Sequence, residues 1–293
     1  MPELPEVETI VRRLARDLPG RRIDRAEVLR ANVVRGSARR FVRALEGRTV
    51  ASVGRRGKFV VTRLSGDRVW VTHLRMSGKY QVVPRPDGRS GKSVAEARMT
   101  DTRAELLPPY TRAAFRLDDG THLLFIDPRT LGEMEVLTAD GWVRKEAALG
   151  VEPLEPDFTP KELERRLATS RRPVKEFLLD QTKVAGLGNI YAAEGLWRAG
   201  ISPRRRARNL GPVRARRLHG AIVDVLTEAI GRSGTSLGST YLDWADGEGA
   251  PGEFYERLNV YDREGENCRR CGTPIQRIVQ SQRSTYFCPT CQR

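Results

Sequence analysis

Apolar residues recur at Val7, Ile10, Val11, Leu14 and Leu18, the spacing of one helix face, with acidic residues ahead of them and Gly20 just beyond. The pattern predicts an amphipathic helix that starts at residue five or six. From Val50 to about Val136 the period shortens to two. Phe59-Val60-Val61-Thr62 and Val69-Trp70-Val71-Thr72 read as strands, and Ser65-Gly66-Asp67 and Asp118-Asp119-Gly120 supply turn chemistry between such runs. A β-rich domain of two packed sheets is expected. Residues 85–109, rich in Pro, Gly and Arg and without periodicity, read as a long surface insertion.

After a connector at 150–156 the pattern turns helical. Thr159-Pro160-Lys161-Glu162 is a capping box with Pro at the first helical position. Pro173 and Pro212 open two further helices, the second running through Leu218, Ile222, Val225 and Ala229 to Gly231. Arg214, Arg216 and Arg217 lie in its first turns, the wrong sign for the helix dipole. An anionic neighbour or a merely solvated face accounts for them equally.

Composition narrows the class of protein. The 293 residues carry 52 Lys+Arg against 37 Asp+Glu, a formal net charge of +15, and 39% of them are apolar. That is enough to bury a core in roughly two domains, and it excludes disorder throughout. No apolar run approaches the ~18–20 residues of a spanning helix. Glu3, Glu6 and Glu8 precede Arg12 and Arg13, the wrong charge order for a signal peptide, so a cytoplasmic protein without a membrane partner is expected. A positive surplus of this size in a folded chain points to a polyanion, with nucleic acid ahead of a simple solubility surplus.

The four cysteines sharpen this. Cys268, Cys271, Cys288 and Cys291 form two C-x2-C pairs at the end of the chain, the spacing at which two turns present four thiolates to one tetrahedral Zn²⁺. Two disulfides are the competing arrangement, disfavoured inside a cell. Four thiolates leave no open coordination position, so the metal is expected to be structural. Between the pairs, Thr273–Val279 and Ser281–Phe287 are β-prone and predict a hairpin with Arg283 near its tip, either a phosphate fork or a solvated surface residue.

Chemistry is therefore sought elsewhere. If Met1 is removed, Pro2 of Met1-Pro2-Glu3-Leu4-Pro5-Glu6 becomes a secondary amine with a pKa near the α-amino value of about 8. Such an amine attacks a sugar C1′ to give a cationic iminium, and Glu3 beside it can move protons. Taken alone, the hexapeptide reads rather as helix-start punctuation. In Gly186-Leu187-Gly188-Asn189, glycines permit close backbone approach and Asn189 is a candidate N-cap, leaving free amides to face a phosphate; a plain inter-helix turn is the alternative.

These segments occur in one order with Arg55-Arg56-Gly57-Lys58, His73-Leu74-Arg75-Met76-Ser77-Gly78 and Ile190-Tyr191-Ala192-Ala193-Glu194. Over essentially its whole length the chain resembles the bacterial formamidopyrimidine-DNA glycosylases, which excise 8-oxoguanine and ring-opened purines. The resemblance implies a two-domain α+β fold. A catalytic β-sandwich flanked by helices spans 1–136, a hinge 137–158, and a helical helix–two-turn–helix domain 159–267 with a lesion loop at 235–252. A zinc ribbon completes it at 268–293.

The resemblance also implies glycosylase and lyase activities, with Pro2 as nucleophile, Glu3 as proton-transfer residue and Lys58 near strand cleavage. One structural Zn²⁺ is implied. Damaged double-stranded DNA is the implied partner, bound by a nucleoid-associated monomer. Asn189 and Arg283 match the phosphate grip, His73 and Lys175 further DNA-side positions, and Met76, Arg129 and Leu131 the residues that fill the hole left by an extruded nucleotide. The chain departs from the family pattern at Leu131, where Phe is expected. Two alternatives stay open, a sister glycosylase for oxidised pyrimidines and a non-catalytic zinc-ribbon DNA-binding protein.

Overall fold

The structure is a computed structural model that describes residues 2–83, 107–235 and 252–293. The expected insertion at 85–109 and lesion loop at 235–252 fall almost wholly outside the described residues. Two compact units are present. Pro2, Glu6–Arg144 and Gly252 belong to the first; Glu3–Pro5, Lys145–Thr235 and Glu253–Arg293 belong to the second.

In the first unit, helix α1 (Leu4–Asp17) starts one residue earlier than its apolar spacing predicts, and α2 (Ala38–Leu45) follows strand β1 (Ile23–Val28). Strands β2 (Val50–Arg56), β3 (Phe59–Leu64), β4 (Arg68–His73) and β8 (Glu133–Thr138) form one antiparallel sheet in that order. The other sheet orders β1, β6 (Thr111–Leu117), β7 (His122–Ile126) and β5 (Lys79–Val83). Alternation along each strand decides what lies between the sheets. Val60 and Leu64 of β3, Trp70 of β4, Ala113, Phe115 and Leu117 of β6 and Leu123 and Phe125 of β7 share one core with Val7, Ile10, Val11 and Leu14 of α1. The intervening Val61, Val69 and Val71 face the other way and are covered by Trp142 of α3 (Ala139–Glu146). The stretch 137–158, read as a hinge, thus carries a helix that seals the outer face of a sheet.

The second unit is helical up to its C-terminal hairpin. In α4 (Pro160–Ala168) half of the expected capping box forms, Glu162 N donating to Thr159 Oγ1 at 3.1 Å, while the Glu162 carboxylate turns to Arg165 and Arg166 and Thr159 N donates to Asp157 O instead. Then come α5 (Val174–Leu179), α6 (Asn189–Ala199) and α7 (Gly211–Gly231), with Pro173 at the N-cap of α5 and Pro212 in the first turn of α7. Buried Leu218, Ile222, Val225 and Ala229 fall on one face of α7, where Ile222 packs closely enough on Gly195 of α6 that an added Cβ would touch it at 3.4 Å. Strands β9 (Gln276–Gln280) and β10 (Arg283–Phe287) pair through a two-residue turn in which Ser281 and Gln282 both have positive φ, 45° and 61°. That is the primed turn whose twist matches a hairpin.

Phe115 is fully buried, with its ring centroid 4.5 Å from that of Trp70. Phe115→Ala is expected to cost about 3–5 kcal/mol of unfolding free energy by leaving a cavity between the sheets. Chemical denaturation checks this, and a loss under 1 kcal/mol contradicts the shared core.

Candidate functional site

Pro2 is buried, and Glu3 is 2% exposed. The Glu3 carboxylate lies on the N-terminus of α6, accepting Ile190 N at 3.0 Å and Tyr191 N at 3.3 Å. An anion on two free amides at the positive end of a helix is favoured both by the dipole and by direct hydrogen bonding. Leu4 N donates to Gly186 O at 3.0 Å. This contact explains the glycines: Gly186 has φ +88°, a Cβ on it would lie 2.7–3.1 Å from Leu4, and a Cβ on Gly188 would collide with the Glu3 carboxyl.

The expected capping role of Asn189 is therefore corrected. The N-cap position is Gly188, without a side-chain cap, and Glu3 from the far end of the sequence occupies the amides that were expected to be free for a phosphate. Asn189 Nδ2 instead donates to Ser284 O at 3.0 Å. Lys175 Nζ donates to the same carbonyl at 2.9 Å and to Thr285 Oγ1 at 2.6 Å. Both side chains thus converge on β10 beside Arg283, whose own side chain is exposed near the hairpin tip. Lys175 is 1% exposed, and burial, then the Arg283 charge, pull its pKa down to about 8 against the opposing pull of Glu3 and Glu176.

Two residues brace this region, Gln181 outside every motif and Glu194 at the end of the Ile190–Glu194 segment. Gln181 accepts Gly186 N at 2.9 Å and donates to Leu179 O and Leu187 O, holding the glycine turn. Glu194 is wholly buried and accepts the amides of Asn259, Val260 and Tyr261 at 2.8–3.0 Å, fixing the approach to the hairpin against α6. A glutamate inside the apolar run Ile190–Trp197 was the available signal for the second.

In the first unit, Lys58 is 6% exposed in the turn between β2 and β3, beside Gly57 with φ 56°. Arg55 Nη1 donates to Gly57 O at 3.0 Å and Arg55 Nε to Glu8 Oε2 at 2.9 Å, which ties this turn to α1. Burial raises the Glu8 pKa, but the bonds from Arg55 and Arg12 outweigh it and the net shift is downward. Phe59 pairs with His73 across the sheet, placing the histidine at the same end as Lys58. The His73 ring stands edge-on to Phe59 with centroids 4.9 Å apart, and its Nδ1 accepts Arg75 N at 3.0 Å.

Met76 and Leu131 are 40% and 50% exposed, and Arg129 is also exposed, so none of the three is a core residue. They stand on the loops β4–β5 and β7–β8, which a fully buried carboxylate joins. Asp127 accepts Ser77 Oγ at 2.6 Å, Arg129 N at 3.2 Å and Gly132 N at 2.7 Å, while Arg112 Nε donates to the Asp127 carbonyl at 2.7 Å. Each loop holds a non-glycine residue in the left-handed region next to its exposed apolar side chain: Arg75 at φ 55° beside Met76, and Thr130 at φ 56° beside Leu131.

The four cysteine sulfurs lie within 4.8 Å of one another, Cys268 to Cys291 at 4.0 Å and Cys271 to Cys288 at 3.4 Å. These separations are far beyond a disulfide's ~2.05 Å. They bracket the ~3.8 Å edge of a tetrahedron whose Zn–S bonds are about 2.3 Å. Arg270 N and Cys291 N point at the Cys268 and Cys288 sulfurs, as amides around a metal thiolate do. The donor set and its spacing fit one structural zinc. Cys268 and Cys288 pack with Trp197, Val260, Ile275 and Tyr286 into a small core of their own, so the metal and the hairpin stand together.

Residues 1–134 match the family described as "Formamidopyrimidine-DNA glycosylase N-terminal domain", 149–240 the "Formamidopyrimidine-DNA glycosylase H2TH domain", and 265–293 the "Zinc finger found in FPG and IleRS". A formamidopyrimidine-DNA glycosylase of Chloroflexus aurantiacus is 42% identical over 293 residues, spanning all of this chain and 98% of that protein. The Lactococcus lactis Fpg in complex with DNA containing an abasic site superposes with a TM-score of 0.84 at 32% identity, covering 99% of both chains. The wild-type Lactococcus lactis protein in complex with DNA containing N7-benzyl-Fapy-dG superposes equally, at 0.84 and 32% identity over the whole of both chains.

Cys271→Ser removes one thiolate from a closed site. Metal analysis is expected to show stoichiometric zinc in the unsubstituted protein and its loss in the variant, with DNA affinity lost and the first unit's circular dichroism retained. Full DNA affinity without zinc would contradict the coupling of metal and hairpin.

Proposed function

Because the chain belongs to the formamidopyrimidine-DNA glycosylase family, we propose that its nucleophile is the amine of Pro2 exposed by removal of Met1. The protein is a DNA glycosylase of base excision repair. The Pro2 nitrogen attacks C1′ of the damaged nucleotide, the N-glycosidic bond breaks, and the base leaves with the amine's proton; the C1′–O4′ bond then opens, O4′ taking up a proton and the nitrogen lone pair forming the C1′ iminium. The resulting iminium acidifies C2′–H. Loss of that proton expels the 3′ phosphate by β-elimination, and a second proton loss expels the 5′ phosphate by δ-elimination.

The observation that carries this reading is the seat of Glu3. Its carboxylate bound to the Ile190 and Tyr191 amides fixes the residue next to Pro2, leaving the amine one peptide away from a group able to transfer protons. Lys58, buried in its turn, is the second proton carrier, for strand cleavage. Asn189, Arg283, Lys175 and His73 serve the phosphates flanking the lesion, Lys175 largely by stiffening β10. Met76, Arg129 and Leu131 enter the stack when the nucleotide is extruded.

Oxidised and ring-opened purines are the proposed substrates, supported by the name of the Chloroflexus aurantiacus relative and by the Fapy-dG ligand of the Lactococcus lactis complex. The reading extends to a monomer working at the nucleoid, supported by the net charge of +15. Among the described residues no helix is long and apolar enough to cross a membrane.

Borohydride in the presence of lesion-containing duplex is expected to trap a covalent complex with the processed protein. Retaining Met1 or acetylating Pro2 should abolish trapping and leave binding largely intact. Undiminished trapping after blocking moves the nucleophile to a lysine, Lys58 first.

The exposed wedge gives a separate test. Leu131 displaces water but has no aromatic face, forgoing a stacking contribution of about 1–3 kcal/mol. Leu131→Phe is expected to raise excision of 8-oxoguanine several-fold and leave cleavage at a preformed abasic site nearly unchanged. Single-turnover rates on the two duplexes decide, and equal effects on both remove Leu131 from extrusion.

A further inference from the structure

A second cluster of charge lies in the first unit at the opposite end of its sheet from Lys58 and His73. A pocket of about 300 Å³ is lined by Arg40 and Arg43 of α2, Arg48 after it, Arg68 at the start of β4, and Ala44 and Val136. The volume is at the lower end of the range for small-ligand sites. No acidic side chain lines it, and among the described residues none of the four arginines has an ion-pair partner. Glu46, between Arg43 and Arg48 in the chain, accepts the amide of Ala26 at 3.0 Å instead, and Asp67, which precedes Arg68, is not among the lining residues.

Arg48 is held in place: its Nε donates to Ala44 O and its Nη1 to Ser65 O, both at 2.7 Å, which leaves the Nη2 donors for a ligand. Phe41 and Leu45 anchor the other face of α2 in the core, so Arg40 and Arg43 project away from it. Four guanidinium groups around one cavity repel one another unless anions or solvent screen them. Their planar forks match phosphate oxygens bidentately, and four positive charges balance two phosphate dianions.

We propose that this pocket is a second phosphate-binding site, built for two adjacent phosphate groups. It is separate from the lesion-side machinery. Arg68 and His73 are the two ends of β4, five residue steps or about 17 Å apart, beyond the reach of a shared phosphate. The phosphates come either from a free pyrophosphate-bearing molecule or from two successive phosphodiesters of a DNA strand, which offer the same phosphate oxygens to the guanidinium forks with one negative charge per group.

Calorimetric titration of the zinc-loaded full-length protein with inorganic pyrophosphate tests the site. Arg43→Gln/Arg68→Gln is expected to weaken pyrophosphate at least tenfold, while Arg283→Gln, at the hairpin tip, leaves that binding in place. Arg43→Lys/Arg68→Lys, keeping charge without the fork, should fall between. Both doubles spare Arg48, whose backbone bonds support the fold. Unchanged affinity in the double Gln variant, or an equal loss in Arg283→Gln, overturns the proposal. Salt titration with undamaged duplex then separates the sources. A slope of log K against log salt reduced by about 1–2 in the double Gln variant assigns the pocket to a DNA strand, at roughly 0.9 per phosphate, whereas an unchanged slope assigns it to a free diphosphate.

Discussion

One buried carboxylate on one helix end is the contact on which the start of α6 depends. Glu3 on the amides of Ile190 and Tyr191 is a contact between residues nearly two hundred positions apart, and it ties the first residues of the second unit to α6. The rest of its neighbourhood is arranged to permit it. Gly186 and Gly188 leave room that any side chain would fill, Gln181 holds the turn that carries them, and Leu4 closes the contact through its amide. An anion elsewhere would leave two buried amides unsatisfied, at about 1–3 kcal/mol each.

What the sequence disclosed follows from the range of the forces involved. The C-x2-C pairs, the hairpin between them, α1 and the N-cap at Thr159 were all legible, because each is set by neighbours within a few residues. An apolar side chain's preference for the core makes the exposure of Met76 and Leu131 illegible in the sequence, and their surface position emerges only with the fold. Asn189 shows the limit most clearly. Its residue type and position satisfy every local rule for an N-cap, yet a distant glutamate takes that role, and the asparagine turns to Ser284. The Asp127 bracket to Ser77 and the arginine pocket depend likewise on contacts between remote segments, which no local pattern encodes.

Zinc, helix and hairpin form a single mechanical unit in the second half of the chain. Lys175 and Asn189 reach the Ser284 carbonyl from two different helices, so the strand that carries Arg283 is fixed from below while the metal fixes its base. Lys175 is a buried cation whose charge burial opposes, and its two hydrogen bonds to β10 offset that opposition.

The Asp127 bracket has a thermodynamic consequence. Loops that carry a wedge must be ordered at some stage, and ordering a residue's backbone costs about 1–2 kcal/mol of conformational entropy. Here the buried carboxylate, its bonds to Ser77, Arg129 and Gly132, and the left-handed turns at Arg75 and Thr130 impose that order when the domain folds. The entropy is thus lost before any ligand arrives. In the proposed insertion of Met76 and Leu131 into a base stack, these loops then dock as a rigid tool, and the free energy is left to unstacking and desolvation.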